Sequence, residues 1–176
     1  MNRIYCFAAE VYSKNMSTTR RPFYILHPQF LLIHLTDPHL MCIPSLHVMV
    51  MIFSYTHFRE LLRSFGDEET LKAKIEEVNA GAALITEAIL YVKQHSINCV
   101  AASLYAMSRF DPALFPPAEA EAFVSRLFVE PEGFSPEDGV RIRDHIITLY
   151  RHFMDRSRPG ESWETPLLEF LRERRT

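Results

Sequence analysis

The chain has 176 residues, with 19 Lys and Arg against 22 Asp and Glu, 11 Pro and only five Gly. This near-balance of charge gives no reason to expect a nucleic-acid partner, and the scarcity of Gly excludes a Gly-rich phosphate loop or a dinucleotide fingerprint. The three cysteines fit neither a disulfide framework nor a zinc site by their spacing, and they are Cys6, Cys42 and Cys99.

Apolar and charged residues divide the chain near residue 110. Between residues 23 and 58 the only formal charge is Asp37, and residues 78–108 carry only two charges, with a strongly polar stretch between these segments. No uninterrupted run of ~20 apolar residues is present. After residue 110, charged residues and Pro become frequent, which is typical of a soluble region. We therefore expect two parts, residues 1–110 and residues 111–176.

The predicted elements are all helical, so the expected fold class is all-α. Pro44 suits the first turn of the first helix, because its missing N–H costs little there. Ser135-Pro136-Glu137-Asp138 predicts a capped helix start in the tail, with acids near the positive helix end. Periodicity does not decide whether residues 79–92 and 96–110 form two helices or one long helix. In chain order, the predicted helices cover residues 43–62, 79–92, 96–110, 118–129, 135–155 and 165–174.

Three local motifs occur in order along the apolar part. They are Lys14 followed after six residues by Arg21-Pro22, then Pro44-Ser45-Leu46-His47, and finally Lys93-Gln94-His95 at the start of an apolar segment. This order and spacing resemble the type 2 phosphatidic acid phosphatase superfamily. The motifs of that family are Lys, six residues, Arg-Pro; then Pro-Ser-Gly-His; then Ser-Arg, five residues, His, three residues, Asp. The resemblance covers roughly residues 10–107.

The resemblance implies a fold and a location. Residues 1–110 would form a partial helical-bundle membrane core with several membrane-spanning helices. Residues 111–176 would form a soluble helical tail on the cytoplasmic side. Only 13 residues precede Lys14, so the helices that the family places upstream of this motif are expected to be missing. The implied activity is that of a membrane lipid phosphatase or phosphotransferase with a lipid phosphate as substrate and a phosphohistidine intermediate.

The resemblance also assigns roles to five residues. His95 would attack phosphorus, and His47 would protonate the leaving alcohol. Lys14, Arg21 and Ser45 would bind the phosphate oxygens, because cations and hydroxyl donors hold the charge of a phosphate group while its ester bond breaks. No cofactor and no metal ion is expected.

Three positions depart from the family pattern. Leu46 replaces the family Gly, a change that is also found in the inositol phosphorylceramide synthase-like branch. The family Ser-Arg falls at Ala88-Ile89, so the second phosphate-binding Arg is absent there. The carboxylate that orients the nucleophilic His in the family falls at Cys99. Glu87 and Asn98 lie nearby in the sequence, but neither has the spacing to replace that carboxylate.

Two other interpretations therefore stay open. The first is an inactive relative that keeps the helices and has lost turnover. The second is a soluble all-helical interaction module that uses its charged, amphipathic tail. In the tail itself, the sequence predicts a solvated helix face for Arg143, His145, Arg151 and His152.

Overall fold

Helices make up most of the structure, which is a computed structural model. It describes residues 6, 9–10, 16–20, 40–66, 68–92 and 94–173. A two-stranded sheet is followed by six helices within these ranges: β1 (Met16–Arg20), β2 (Leu40–Ile43), α1 (Leu46–Phe65), α2 (Glu68–Tyr91), α3 (Ile97–Phe110), α4 (Pro117–Arg126), α5 (Pro136–Arg156) and α6 (Thr165–Glu173). The predicted helical class is confirmed for this body of helices, whereas the two short strands were not predicted.

The sheet pairs β1 with β2 in antiparallel orientation. The partners are Met16 with Ile43, Ser17 with Cys42, and Arg20 with Leu40, with an irregularity between the last two pairs. A two-stranded ribbon is marginally stable alone, and β2 is supported because it packs against α3. Since β2 runs directly toward α1, this packing also fixes where α1 begins.

The start of α1 is set by Ser45. Its Oγ accepts a hydrogen bond from the backbone N–H of Val48 at 3.3 Å, which is the usual geometry of an N-cap. Pro44 therefore precedes the cap, and the prediction that it lies in the first turn was wrong. The helix then continues to Phe65, slightly beyond the predicted end.

The second helix begins well before its predicted start at Asn79. The polar residues 68–77 are part of α2, because this Glu- and Lys-rich segment contains good helix formers. One side of α2 packs against α1, where Ile75, Asn79 and Ala82 are buried. The end of α2 at Tyr91 also answers the question that periodicity left open, since α2 and α3 are two separate helices.

The centre of the core is α3. Every residue from Cys99 to Ser108 is buried, and α1, α5 and β2 all pack against this helix. A helix that is covered on all sides needs apolar residues on all sides, which explains the uniform apolar character of residues 97–108. Within the described ranges, no helix combines the length and the apolar character that crossing a bilayer requires.

The tail helices complete this core. Ser135 caps α5 by accepting the N–H of Asp138 at 3.1 Å, and Pro136 is the first helical residue, as predicted. The apolar stripe of α5 faces α3, where Tyr150 OH lies 3.0 Å from Ser108 Oγ. The expected boundary near residue 110 falls between α3 and α4, and α5 covers one side of α3.

Candidate functional site

Two histidines that the sequence places 48 positions apart are in direct contact. Nδ1 of His47 lies 3.1 Å from Nε2 of His95, with the ring centroids 5.3 Å apart and the ring planes at 55°. One of these nitrogens donates a hydrogen and the other accepts it, because two protonated nitrogens would repel each other.

The two histidines differ in burial. His95 is only 7% exposed, whereas the side chain of His47 is exposed at the surface. A buried ring is held in one orientation by its surroundings, while an exposed ring can change rotamer at little cost. The structure thus combines a fixed imidazole with one that is open to solvent.

Both histidines lie at helix N-termini. His47 is the second residue of α1, and His95 directly precedes Ser96, the residue before α3. The aligned peptide dipoles give a helix N-terminus a partial positive charge, which favours a bound anion. The positive ends of two helices therefore converge where the rings meet.

A serine pair holds these two helix starts together. The backbone N–H of Ser45 donates to Oγ of Ser103 at 2.9 Å. The Ser103 hydroxyl in turn lies 2.7 Å from the carbonyl oxygen of Cys99 and 3.1 Å from that of Ser45. All three residues are fully buried. Ser103 was not identified from the sequence, because nothing in the local pattern of α3 distinguishes it from an ordinary core serine.

The other predicted phosphate-binding residues are placed as follows. Ser45 lies two residues before His47, is fully buried, and caps α1 through its hydroxyl oxygen. Its hydroxyl hydrogen is not needed for that cap, since the oxygen acts there as the acceptor. Lys14 and Arg21 lie outside the described residues.

Cys99 occupies the position of the family carboxylate and has a structural role. Its Sγ lies 3.4 Å from the backbone nitrogen of Ser96 and 3.1 Å from Oγ of Ser96, so it caps the first turn of α3. The two nearby polar residues have other contacts. The carboxylate of Glu87 accepts the N–H of Phe128 at 2.6 Å, and Oδ1 of Asn98 contacts His145 at 2.7 Å.

The prediction of a solvated face on α5 was wrong for three of its four residues, since Arg143, His145 and His152 are half-buried. His145 is half-buried, and its Nε2 contacts Asn98 in the first turn of α3. Arg143 donates to the carbonyl oxygens of Leu127 and Phe128 at 2.8 and 2.7 Å. These partners are at least 15 residues away in the sequence, so local periodicity gave no sign of them. Arg151 is exposed, as predicted.

A shallow cleft of about 380 Å³ lies beside His145, and its lining residues are His145, Thr148, Leu149, His152, Phe170 and Glu173. In the part of the chain that the structure describes, no three His, Cys, Asp or Glu side chains are grouped as metal ligands.

Comparisons of the chain with family models, with curated proteins and with solved structures found no match.

Proposed function

We propose that the protein transfers the phosphoryl group of a lipid phosphate monoester through a phosphohistidine at His95, as a phosphatase or a phosphotransferase. The observation that carries this proposal is the 3.1 Å contact between His47 and His95. The resemblance assigned these two residues to one reaction before any spatial information was used. Residues 48 positions apart have no local reason to meet.

The reaction assigns one role to each ring. The neutral Nε2 of His95 forms a bond to phosphorus while the bond from phosphorus to the ester oxygen breaks. The departing oxygen takes a proton from the His47 imidazolium and leaves as an alcohol. Water then attacks the phosphohistidine and gives a proton to His47, which releases phosphate and restores His95. In a phosphotransferase, an acceptor alcohol replaces this water.

The difference in burial supports this division of roles. A nucleophile gains from being held in a fixed orientation, and His95 is the buried ring. The proton donor must reach the leaving group at the solvent side, and His47 is the exposed ring. At 3.1 Å the two nitrogens leave no room for a phosphorus atom, so we expect His47 to swing aside when substrate enters.

The negative charge of the phosphoryl group has several sources of stabilisation in this proposal. The N-termini of α1 and α3 converge on the histidines, and the hydroxyl of Ser45 lies at the start of α1. The resemblance adds Lys14 and Arg21 as direct ligands of the phosphate oxygens. Such preorganised donors act most strongly on the charge that develops in the transition state.

Membrane attachment, with several spans and a cytoplasmic tail as the resemblance implies, belongs to the same proposal. Several large apolar side chains of α1 and α2 are exposed, and they support an apolar environment for these helices. Phe65 is 78% exposed and Leu84 is 67% exposed. The other members of this set are Val50, Phe58, Leu61 and Ile85.

The direct test is phosphate release from phosphatidic acid in detergent micelles. We expect His95→Ala to abolish release and His47→Ala to reduce it by at least about 100-fold, the usual contribution of a positioned proton donor. His57 provides a matched control, because it is an exposed histidine on the same helix that stacks on Phe53. His57→Ala should retain normal release. Equal loss in all three variants, or release that is insensitive to His95→Ala, would refute the phosphohistidine mechanism.

Three further measurements separate the alternatives. Release of phosphate from soluble p-nitrophenyl phosphate, with none from phosphatidic acid, would mean that the substrate is a phosphate monoester other than a lipid. A folded chain that releases phosphate from neither compound, and transfers none to a lipid alcohol, would favour the inactive relative. Recovery of the full chain in the aqueous phase without detergent would favour the interaction module.

A further inference from the structure

A second cleft, of about 280 Å³, lies between α1, α2 and α4 and is rich in cations. The lining side chains that carry positive charge are Arg59, Arg63, Lys72 and Arg126, and they face the carboxylates of Glu76 and Glu119. The cleft is far from the histidines. Arg59 is 12 residues beyond His47 on α1, which corresponds to about 18 Å along the helix axis.

Several buried polar atoms in this cleft lack a protein partner. Nε of Arg59, Nε of Arg126 and Oδ1 of Asn79 make no hydrogen bond to any residue that the structure describes. Buried polar groups in folded proteins are nearly always hydrogen-bonded. Three side chains that line the same cleft therefore carry unsatisfied polar atoms, and because these atoms are themselves buried, a ligand would pair with them only after the side chains turn toward the cleft.

The existing ion pairs leave cationic groups for such a ligand. Arg59 pairs with Glu119 at 2.7 Å, and Arg126 pairs with Glu76 at 3.3 Å. Each guanidinium carries five N–H donors, so a single carboxylate does not saturate it. Lys72 forms no ion pair with the described residues, and its ammonium group adds a further charge at the rim of the cleft.

Arg63 is the outermost cation of the cleft. It bonds to Glu60 on the same helix at 2.7 Å, and both side chains are exposed. Ion pairs of this kind contribute little free energy. Even with Arg63 and Glu60 set aside, the three other cations of the cleft, Arg59, Lys72 and Arg126, outnumber its two lining carboxylates, Glu76 and Glu119.

We infer that this cleft binds a phosphate group. A phosphate group near neutral pH offers several acceptor oxygens for the arginine donors, and inorganic phosphate also retains a hydroxyl that can donate to Oδ1 of Asn79. Arginine suits this task because its planar fork matches two phosphate oxygens at once. The inference is independent of the reaction proposed for the histidines, since it uses different residues at a different place on α1.

The phosphate could belong to a lipid headgroup or be free in solution. Phe58 and Phe65 are the most exposed large apolar residues of α1; Phe58 directly precedes Arg59, and Phe65 is two residues beyond Arg63. Basic residues interleaved with exposed aromatic residues are typical of surfaces that contact phospholipids. Free phosphate would need only the cations. Inorganic phosphate and phospholipid vesicles must therefore be tested separately to distinguish the two sources.

The experiment measures binding of inorganic phosphate to the full chain by calorimetry and by the Nε–H signals of arginine in NMR spectra. We expect saturable binding that shifts the signals of Arg59 and Arg126. Lys72→Gln and Arg126→Gln should each weaken binding by about tenfold, the equivalent of one lost charge-assisted hydrogen bond. Lys74→Gln is the matched control, because Lys74 is a neighbouring exposed lysine that pairs with Glu77. This variant should bind phosphate normally.

A second arm uses vesicles of phosphatidylcholine with and without phosphatidylglycerol, which is not a phosphate monoester and so is not a substrate for the histidines. Sedimentation with the phosphatidylglycerol vesicles that falls in Lys72→Gln, and not in Lys74→Gln, would support the site with a lipid as its source. Binding of inorganic phosphate alone would support the site with a free ligand. Binding of neither, or equal weakening by both lysine variants, would overturn the inference.

Discussion

The backbone N–H of Ser45 donates to the side-chain oxygen of Ser103, across 58 residues of sequence, at 2.9 Å. This contact connects the residue that caps α1 to the second turn of α3. His47 is two residues beyond Ser45, and His95 is two residues before α3. The meeting of the two rings therefore depends on a buried hydrogen bond that contains neither of them.

Ser103→Ala should lower both stability and phosphate release. The substitution leaves the buried N–H of Ser45 without its acceptor, which costs about 1–3 kcal/mol. Denaturant unfolding measures this loss, and release from phosphatidic acid measures the displacement of His47 from His95. Ser125→Ala is the control, because Ser125 is exposed and donates only within its own helix. Unchanged stability in Ser103→Ala would contradict the role of this contact.

Stability should decline in alkaline solution. Burial raises the pKa of Tyr55 far above its usual value, and the adjacent carboxylate of Glu119 raises it further. Burial likewise raises the pKa values of Tyr105 and Tyr150. The stability that these groups contribute is complete below the unfolded tyrosine pKa of ~10, and it is lost as the pH rises above that value, because the unfolded chain releases the protons first.

Urea unfolding between about pH 8 and pH 12 tests this expectation. The free energy of unfolding should fall by up to ~1.4 kcal/mol per pH unit for each tyrosine that titrates only in the unfolded chain. Tyr55→Phe removes one such group and should make the decline shallower. An identical slope in this variant would mean that Tyr55 is not protected from ionisation.

Gly139 allows a close approach between α5 and the preceding loop. A Cβ at this position would lie 2.6 Å from the carbonyl oxygen of Phe128, which is backbone and is also held by Arg143. Gly139→Ala should therefore destabilise the fold by about 1–3 kcal/mol through overpacking. Gly81 is the opposite case, since a Cβ there meets nothing within 4 Å in the middle of α2. Gly81→Ala should stabilise by up to ~1 kcal/mol, and thermal unfolding compares the two.

The sequence predicted the helices best where local signals were strong. The start of α5 followed from Ser135 and Pro136, because a cap and a proline act within a single turn. The start of α2 was missed because hydrophobicity alone was used to find it, although the polar residues 68–77 have good helix propensity. The pairing of β1 with β2 depends on contacts between segments about 25 residues apart, which local patterns do not reveal.

In the candidate site, too, local motifs were predicted from the sequence, whereas contacts between distant helices were not. Motif order led to His47, His95 and Ser45, which the structure brings to one place. Ser103 and the contact of Asn98 with His145 were not found, because each depends on how two distant helices pack. The resemblance implied membrane-spanning helices within residues 1–110, a range that includes the apolar residues of α3. Their pattern is also what a helix buried among other helices requires, and composition does not separate these two environments.

Replacing Cys99 with aspartate tests whether the absence of the carboxylate that the resembled family has at this position limits activity. In Cys99→Asp, the new carboxylate would accept the same Ser96 N–H that now points at Sγ. An acid at this position is the usual partner in a helix capping box and is favoured by the helix dipole. Because Cys99 is fully buried, desolvation of the new carboxylate outweighs this gain, and we expect the variant to fold with a stability about 1–3 kcal/mol below that of the native chain.

The carboxylate should also raise phosphate release. An ionised group one turn beyond His95 would stabilise the positive charge that its ring acquires when Nε2 bonds to phosphorus, as an aspartate does for the histidine of a hydrolase triad. We expect at least about a tenfold increase in Cys99→Asp and none in Cys99→Asn, which has the same shape without the charge. If the two variants release phosphate equally, with both folded, then the absent carboxylate does not limit turnover, and the charge of His95 must be stabilised in another way.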